Sequence, residues 1–249
     1  MRQSALNSFV DYNDDLEGVC GFMYLDRKGL VSSCIGLLLD PVALFRAARL
    51  PWKRPDGTLA TREEAEAEWR AVKAMQQRRL MGGGHFRKWT SLRLTKGDIL
   101  NATRARIELN ETHLRERFPE WDSWPSDAQL GVMSVAWAVG ATLKGYPRMC
   151  AALQARDFDA AAAEATFASG DGTYADRQAA QQLCLRNAAK VERLGLDPEV
   201  LWWPRKAPDE LELVDIEPEG RDKAGGGMLA IEGIADAAIE ACERDMLDD

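Results

Sequence analysis

Residues 128–141 place an apolar side chain on almost every face of a helix, through Ala128, Leu130, Val132, Met133, Val135, Ala136, Trp137, Ala138, Val139 and Ala141. A helix without a polar face is stable only when other elements surround it. Ser126, just ahead of it, reads as its cap, so the spacing predicts a buried central helix from Ala128 to about Ala141. The rest of the chain supplies candidates to enclose it. A helix is expected from roughly Ser4 to Cys20. Thr61-Arg62-Glu63-Glu64 is a capping box, and the run it opens through Ala65, Trp69, Val72 and Met75 reaches about Leu80 before Gly82-Gly83-Gly84, read as a flexible joint between lobes. Another long helix starts near Thr95 with Asp98 in its first turn and ends at Phe118, before Pro119. Shorter helices are expected at about Arg148–Ala155 and Phe158–Ala168, and a long one from Tyr174 to Leu194. Strand character is confined to one place: Phe22–Leu25 and Leu30–Ile35 flank the polar turn Asp26-Arg27-Lys28-Gly29. The expected class is α+β, mainly helical. The tryptophans Trp121, Trp124, Trp137, Trp202 and Trp203 read as packing residues first and ligand-stacking platforms second.

The net charge of -8 conceals an asymmetry. Between Asp209 and Asp249 there are 14 acidic residues against Arg221, Lys223 and Arg244, which leaves 29 basic and 26 acidic residues in positions 1–208. The body is mildly basic and suits a polyanionic surface such as a cell wall. Residues 206–227, with Pro208, Pro218 and Gly225-Gly226-Gly227, read as an acidic linker. In 228–249, Ile231, Ile234, Ala235, Ala238, Ile239, Cys242 and Met246 recur at helical spacing, so Met228–Met246 is expected to be an amphipathic helix that either folds back onto its own body or docks on a carrier protein, a virion protein or a second copy. No run approaches the roughly 20 apolar residues of a membrane span. Asp11, Asp14 and Asp15 stand where a secretory signal needs an apolar stretch, so synthesis in the cytoplasm without a signal peptide is expected. Five cysteines (Cys20, Cys34, Cys150, Cys184, Cys242) without a CxxC pair indicate neither a disulfide framework nor a zinc site, and read as reduced, mostly buried thiols. Arg78-Arg79 with Arg87-Lys88 is a basic cluster without a nucleic-acid-binding motif around it, so no nucleic-acid partner is expected and the cluster reads as a solvated or wall-facing surface.

Glu17 lies at the end of the expected first helix, Asp26 in the hairpin turn and Ser32 on the returning strand. A helix end facing a hairpin brings two carboxyl groups and a hydroxyl together. Glycosidic cleavage needs such a pair: one protonated acid for the leaving oxygen, and one carboxylate to orient water.

The order Glu17-Gly18, Tyr24-Leu25-Asp26, Gly29, Ser32 and Gly36 resembles the N-terminal motif of phage-type lysozymes (muramidases), glycoside hydrolase family 24. That motif is Glu-Gly, then Tyr-x-Asp, a turn Gly, a Thr and a Gly-x-Gly run. The likeness continues more diffusely through Asp127–Gly140, Leu153–Ala161 and Asp176-Arg177 with Leu185–Ala188, around an expanded middle from Pro41 to Pro125. The resemblance implies a two-lobed lysozyme-like catalytic domain over residues 1–205, with a small hairpin lobe over about 1–60 and a larger helical lobe over about 95–205. It implies cleavage of the β-1,4 bond between N-acetylmuramic acid and N-acetylglucosamine in peptidoglycan, with inversion and without a metal or organic cofactor. By position it makes Glu17 the general acid, Asp26 the second carboxylate and Ser32 the counterpart of the threonine. Arg177 would be electrostatic support for Glu17, and Gly36 the retained glycine. The sequence departs from the pattern at Ser32, at Cys34-Ile35-Gly36-Leu37 in place of Gly-x-Gly-His, and at Ala138, where a polar amide is common. The wall in the periplasm would be reached through lysis, virion delivery or injection. Two other readings stay open at this stage: a lytic transglycosylase acting through one glutamate, and a catalytically degenerate, wall-binding relative.

Overall fold

The computed structural model describes residues 1–17, 19–167 and 174–209, and of residues 14–17 the backbone alone. The expected linker beyond 209 and the helix Met228–Met246 lie outside the described residues. The protein is mainly helical with one small antiparallel sheet of three strands. It divides into two compact units whose boundaries fall inside α1 (Gln3–Glu17) and α4 (Lys96–Arg117). Among the described residues one unit holds 1–12 and 107–209, the other 13–106. No described helix is long and apolar enough to cross a membrane.

The helical unit is built around α5 (Ser126–Val139). Every residue from Ser126 to Ala136 is buried, as an all-round apolar helix requires, and the helix then emerges, leaving Ala138 and Val139 exposed. Ser126 is not its side-chain cap: its hydroxyl lies 2.6 Å from the Ser4 hydroxyl and donates to the Glu199 carbonyl at 3.1 Å. The helix α8 (Ala175–Leu194) runs antiparallel to α5, pairing Asp127 with Asn187, Gly131 with Cys184 and Ser134 with Gln181. A Cβ at Gly131 would lie 2.9 Å from the Cβ of Cys184, so glycine sets how closely the two helices approach. The helices α6 (Pro147–Gln154) and α7 (Phe158–Glu164) pack against one another, and α7 packs on α8. Trp121 and Trp124 are fully buried with Phe118 and Phe158 in an aromatic cluster, which settles these two tryptophans as core.

Buried Asp127 gathers three donors: the backbone N–H groups of Trp202 at 2.8 Å and Trp203 at 3.0 Å, and Asn187 Nδ2 at 3.1 Å. The chain after α8 is thereby tied to the first turn of α5. It stays packed to Ala207, 2% exposed, whose N–H donates to Asn187 Oδ1 and whose carbonyl accepts from Lys190 Nζ. A linker starting at 206 therefore begins too early.

The second unit carries the sheet, β1 (Cys20–Leu25), β2 (Val31–Cys34) and β3 (Leu37–Leu38), in that order. The first helix thus ends earlier than expected, and Cys20 opens a strand. Two elements have no counterpart in the sequence reading: β3, and α2 (Val42–Ala48). The helix α3 (Arg62–Ala74) begins with the expected capping box and packs on β1 and β2. It stops at Ala74 rather than Leu80 because the Gln76 side chain donates to the Lys73 carbonyl at 2.8 Å, taking the acceptor the next helical turn would use. Gly82–Gly84 is not a joint between lobes. A 3-10 segment, Gly83–Trp89, starts there and packs along β1, with Gly83 against the Tyr24 ring. The middle of the chain therefore covers the sheet, and the unit containing it extends to Arg106 rather than ending near residue 60.

Replacing Asp127 with Ala leaves three donors without their acceptor, and an expected loss of about 2–4 kcal/mol should appear in denaturant titration. Burial pushes the Asp127 carboxyl above its ordinary value. Its contribution is then fully present below the ordinary carboxylate pKa and is lost as pH rises through the raised one. Stability relative to Asp127→Asn should accordingly fall, not rise, as pH increases across that window.

Candidate active site

The turn between β1 and β2 is built on Asp26. Its Oδ1 accepts from the N–H of Lys28 at 2.9 Å and of Leu30 at 2.8 Å, while its backbone N–H donates to the Leu30 carbonyl and its carbonyl accepts from Gly29. This is what a short acidic side chain does at a turn. Oδ2 makes no hydrogen bond among the described residues, so the turn fixes the carboxylate through one oxygen.

The turn is held from outside as well. Gly29 is buried at φ +75, and its carbonyl accepts from Lys73 Nζ at 2.8 Å and Gln76 Nε2 at 3.0 Å, both from the end of α3. Lys73 Nζ also pairs with Asp40 Oδ2 at 2.6 Å, and that oxygen accepts from the Val31 N–H at 3.1 Å. Asp40, Lys73 and Gln76 hold this turn, and the sequence alone does not announce them. A lysine in the last turn of a helix beside a glycine turn gives no signal until the two elements are packed together.

Register and alternation place Tyr24, Asp26 and Ser32 on one face of the sheet, because Tyr24 pairs with Ser32, and Ser32 with Leu38. Ser32 is 4% exposed. The β2–β3 turn is Cys34-Ile35-Gly36, with Gly36 at φ +65 and Cys34 at φ +56. Cys34 thus adopts a conformation that glycine takes without strain, at a cost of about 1–2 kcal/mol. Burial pushes the Cys34 thiol up to about 12, which removes it as a nucleophile at neutral pH. Cys20, Cys34, Cys150 and Cys184 are all buried free thiols.

Glu17 is the last residue of α1, three positions ahead of β1 and in the same unit as Asp26, Ser32 and Gly36. Its side chain lies outside the described residues, as does Gly18. Arg177 belongs to the helical unit. On the first turn of α8 and 3% exposed, its Nη1 donates to the Ser134 carbonyl at 3.3 Å and hydroxyl at 3.2 Å, while Gln181 one turn later donates to the same hydroxyl. Trp137, Trp202 and Trp203 are half-buried, with Trp137 against Phe9 and Trp203 against Tyr12.

No protein-family model matches the chain, and no match to a curated protein or to a solved structure is found.

An ideal Cβ on Gly29 would lie 2.0 Å from Gln76 Oε1, and φ +75 strains any L side chain. Gly29→Ala should cost about 2 kcal/mol by denaturant titration, and Gln76→Ala in the same chain should recover the steric part but not the backbone part.

Proposed function

We propose that this chain is a peptidoglycan hydrolase of the phage-lysozyme kind, built on a lysozyme-like fold and cleaving the β-1,4 bond after N-acetylmuramic acid. The observation that carries the reading is the sheet face on which Asp26, fixed through one oxygen, stands with Ser32, in the unit where α1 ends at Glu17. The left-handed backbone at Cys34 adds support, since it keeps the geometry of a glycine that the sequence lacks. Glu17 gives its proton to the leaving glycosidic oxygen. Oδ2 of Asp26 and the Ser32 hydroxyl hold the water that attacks the anomeric carbon, with inversion. Arg177 is the proposed electrostatic support for Glu17. The proposed route to the wall is lysis, a virion or an injection machine, with the segment Met228–Met246 engaging a carrier.

Clearing of outer-membrane-permeabilised Gram-negative cells tests the assignment. Glu17→Gln should lower the rate by about 100-fold or more, the usual scale for a lost general acid. Asp26→Asn keeps an oxygen for the Lys28 and Leu30 amides, so the turn survives and the loss, also about 100-fold, reports the charge alone. Ser32→Ala should cost about tenfold. Undiminished clearing by Glu17→Gln would overturn the proposal. Released muropeptides should carry ordinary reducing ends by mass spectrometry. 1,6-Anhydro ends, with activity indifferent to Asp26→Asn, would assign a lytic transglycosylase instead.

A further inference from the structure

From Trp69 to Gly97 the chain carries eight lysines and arginines and not one aspartate or glutamate. Several of these cations have partners within their own unit. Arg70 pairs with Glu66 and Lys73 with Asp40, while Arg93 donates to the carbonyls of Arg87 and Thr90 and lies over the Phe22 ring. Arg78, Arg79 and Lys88 border a different kind of surface. Half-buried Trp89 has the Arg78 guanidinium 4.1 Å and the Lys88 ammonium 4.8 Å from its ring centroid. Arg78 and Arg79 lead directly into Leu80 and Met81, which are 74% and 42% exposed. Leu80 is the most exposed large hydrophobic side chain among the described residues.

Cations alone would suit any polyanion. Two adjacent large apolar side chains in their midst do not, because a soluble anionic polymer offers them nothing and water disfavours them. A lipid bilayer interface satisfies both groups at once. Headgroup phosphates take the arginines and lysine, the acyl boundary takes Leu80 and Met81, and an indole beside cations is at home at headgroup depth. We propose that segment 78–89 is a docking surface for a bilayer containing anionic phospholipid. The proposal does not rest on the hydrolase reading, since Arg78, Arg79, Leu80, Met81, Lys88 and Trp89 carry it without Glu17, Asp26 or Ser32.

Sedimentation of the full-length protein with vesicles is the test. Vesicles of phosphatidylglycerol and phosphatidylcholine should retain it, salt should weaken the retention, and vesicles of phosphatidylcholine alone should not retain it. Arg78→Gln with Arg79→Gln and Lys88→Gln should lower the partition coefficient on the order of a hundredfold, from the usual contribution of each basic residue near an anionic surface. Leu80→Ser with Met81→Ser should lower it by about tenfold. Arg79→Glu with Leu80→Asp, both at exposed positions, provides a second variant, and circular dichroism checks that each variant keeps its helix content. Failure of the wild type to bind, or equal retention on both vesicles, would overturn the proposal. So would retention that ignores the Leu80 and Met81 changes while the arginine changes abolish binding to soluble polyphosphate; the patch would then be a polyanion site. Retention lost on removal of residues 210–249 but unchanged in the patch variants would also overturn it.

Discussion

The carboxylate of Asp127 is the interaction on which the helical unit depends. Removing a carboxylate from water is costly unless donors replace the lost hydration, and three donors from two separate parts of the chain converge on it. Because two of them are consecutive backbone amides, the segment after α8 has little freedom in where it lies. Its path brings the Glu199 carbonyl to the hydroxyls of Ser4 and Ser126, Trp203 to Tyr12, and Ala207 to Asn187. The same residue stands in the first turn of α5, where its hydrogen bonds to amides offset part of the burial that pushes its carboxyl up. One polar group thus fixes the start of the central helix, its partner α8 and the chain that closes over both. The apolar surface of α5 supplies the driving force for burial, while Asp127 selects one arrangement among the many that would bury it.

The sheet unit solves a different problem with related means. A three-stranded sheet with a two-residue third strand has too little surface to be stable alone. It is covered by α3 and by the 3-10 segment along β1, and its turn is fastened at the Gly29 carbonyl by Lys73 and Gln76. Lys73 also joins that turn to Asp40. The turn bearing Asp26 is consequently anchored on both sides: by its own carboxylate from within and by α3 from outside. A carboxylate with a defined orientation is what positioning a reactant demands, since effective molarity is lost when the group wanders.

Much of this was legible in the chain, and the failures have identifiable causes. The extents of α4, α5 and α8 are legible to within a few residues, α4 from recurring apolar positions and α5 from a continuous apolar run. The hairpin was visible because Asp26 to Gly29 is turn chemistry. The end of α3 was misplaced because its stop signal is a side chain, Gln76, that reaches back to a backbone carbonyl, and no propensity records that. Serine before an apolar run usually caps the helix, whereas here the Ser126 hydroxyl is engaged by the Glu199 carbonyl and the Ser4 hydroxyl in a fully buried setting. The glycine run was read as a joint because glycine signals freedom; at Gly83 it signals close contact with Tyr24. At the candidate site, the hairpin that puts Asp26 in its turn and Ser32 on the returning strand is legible in the chain, but Lys73 and Gln76, which hold that turn, come from an element over forty positions away and become visible only after folding.

The proposed division of labour between the two carboxyl groups follows from where the backbone puts them. A general acid must hold its proton until the leaving oxygen takes it, and an environment that disfavours negative charge serves that end. Position 17 is the last residue of a fifteen-residue helix, whose C-terminal end carries partial negative charge from carbonyls without intrahelical partners. Position 26 is the opposite kind of place: a turn whose amide groups point inward at Oδ1. In the proposed reaction the turn amides fix one oxygen of Asp26, so that its second oxygen can hold water, while the helix end carries the proposed acid.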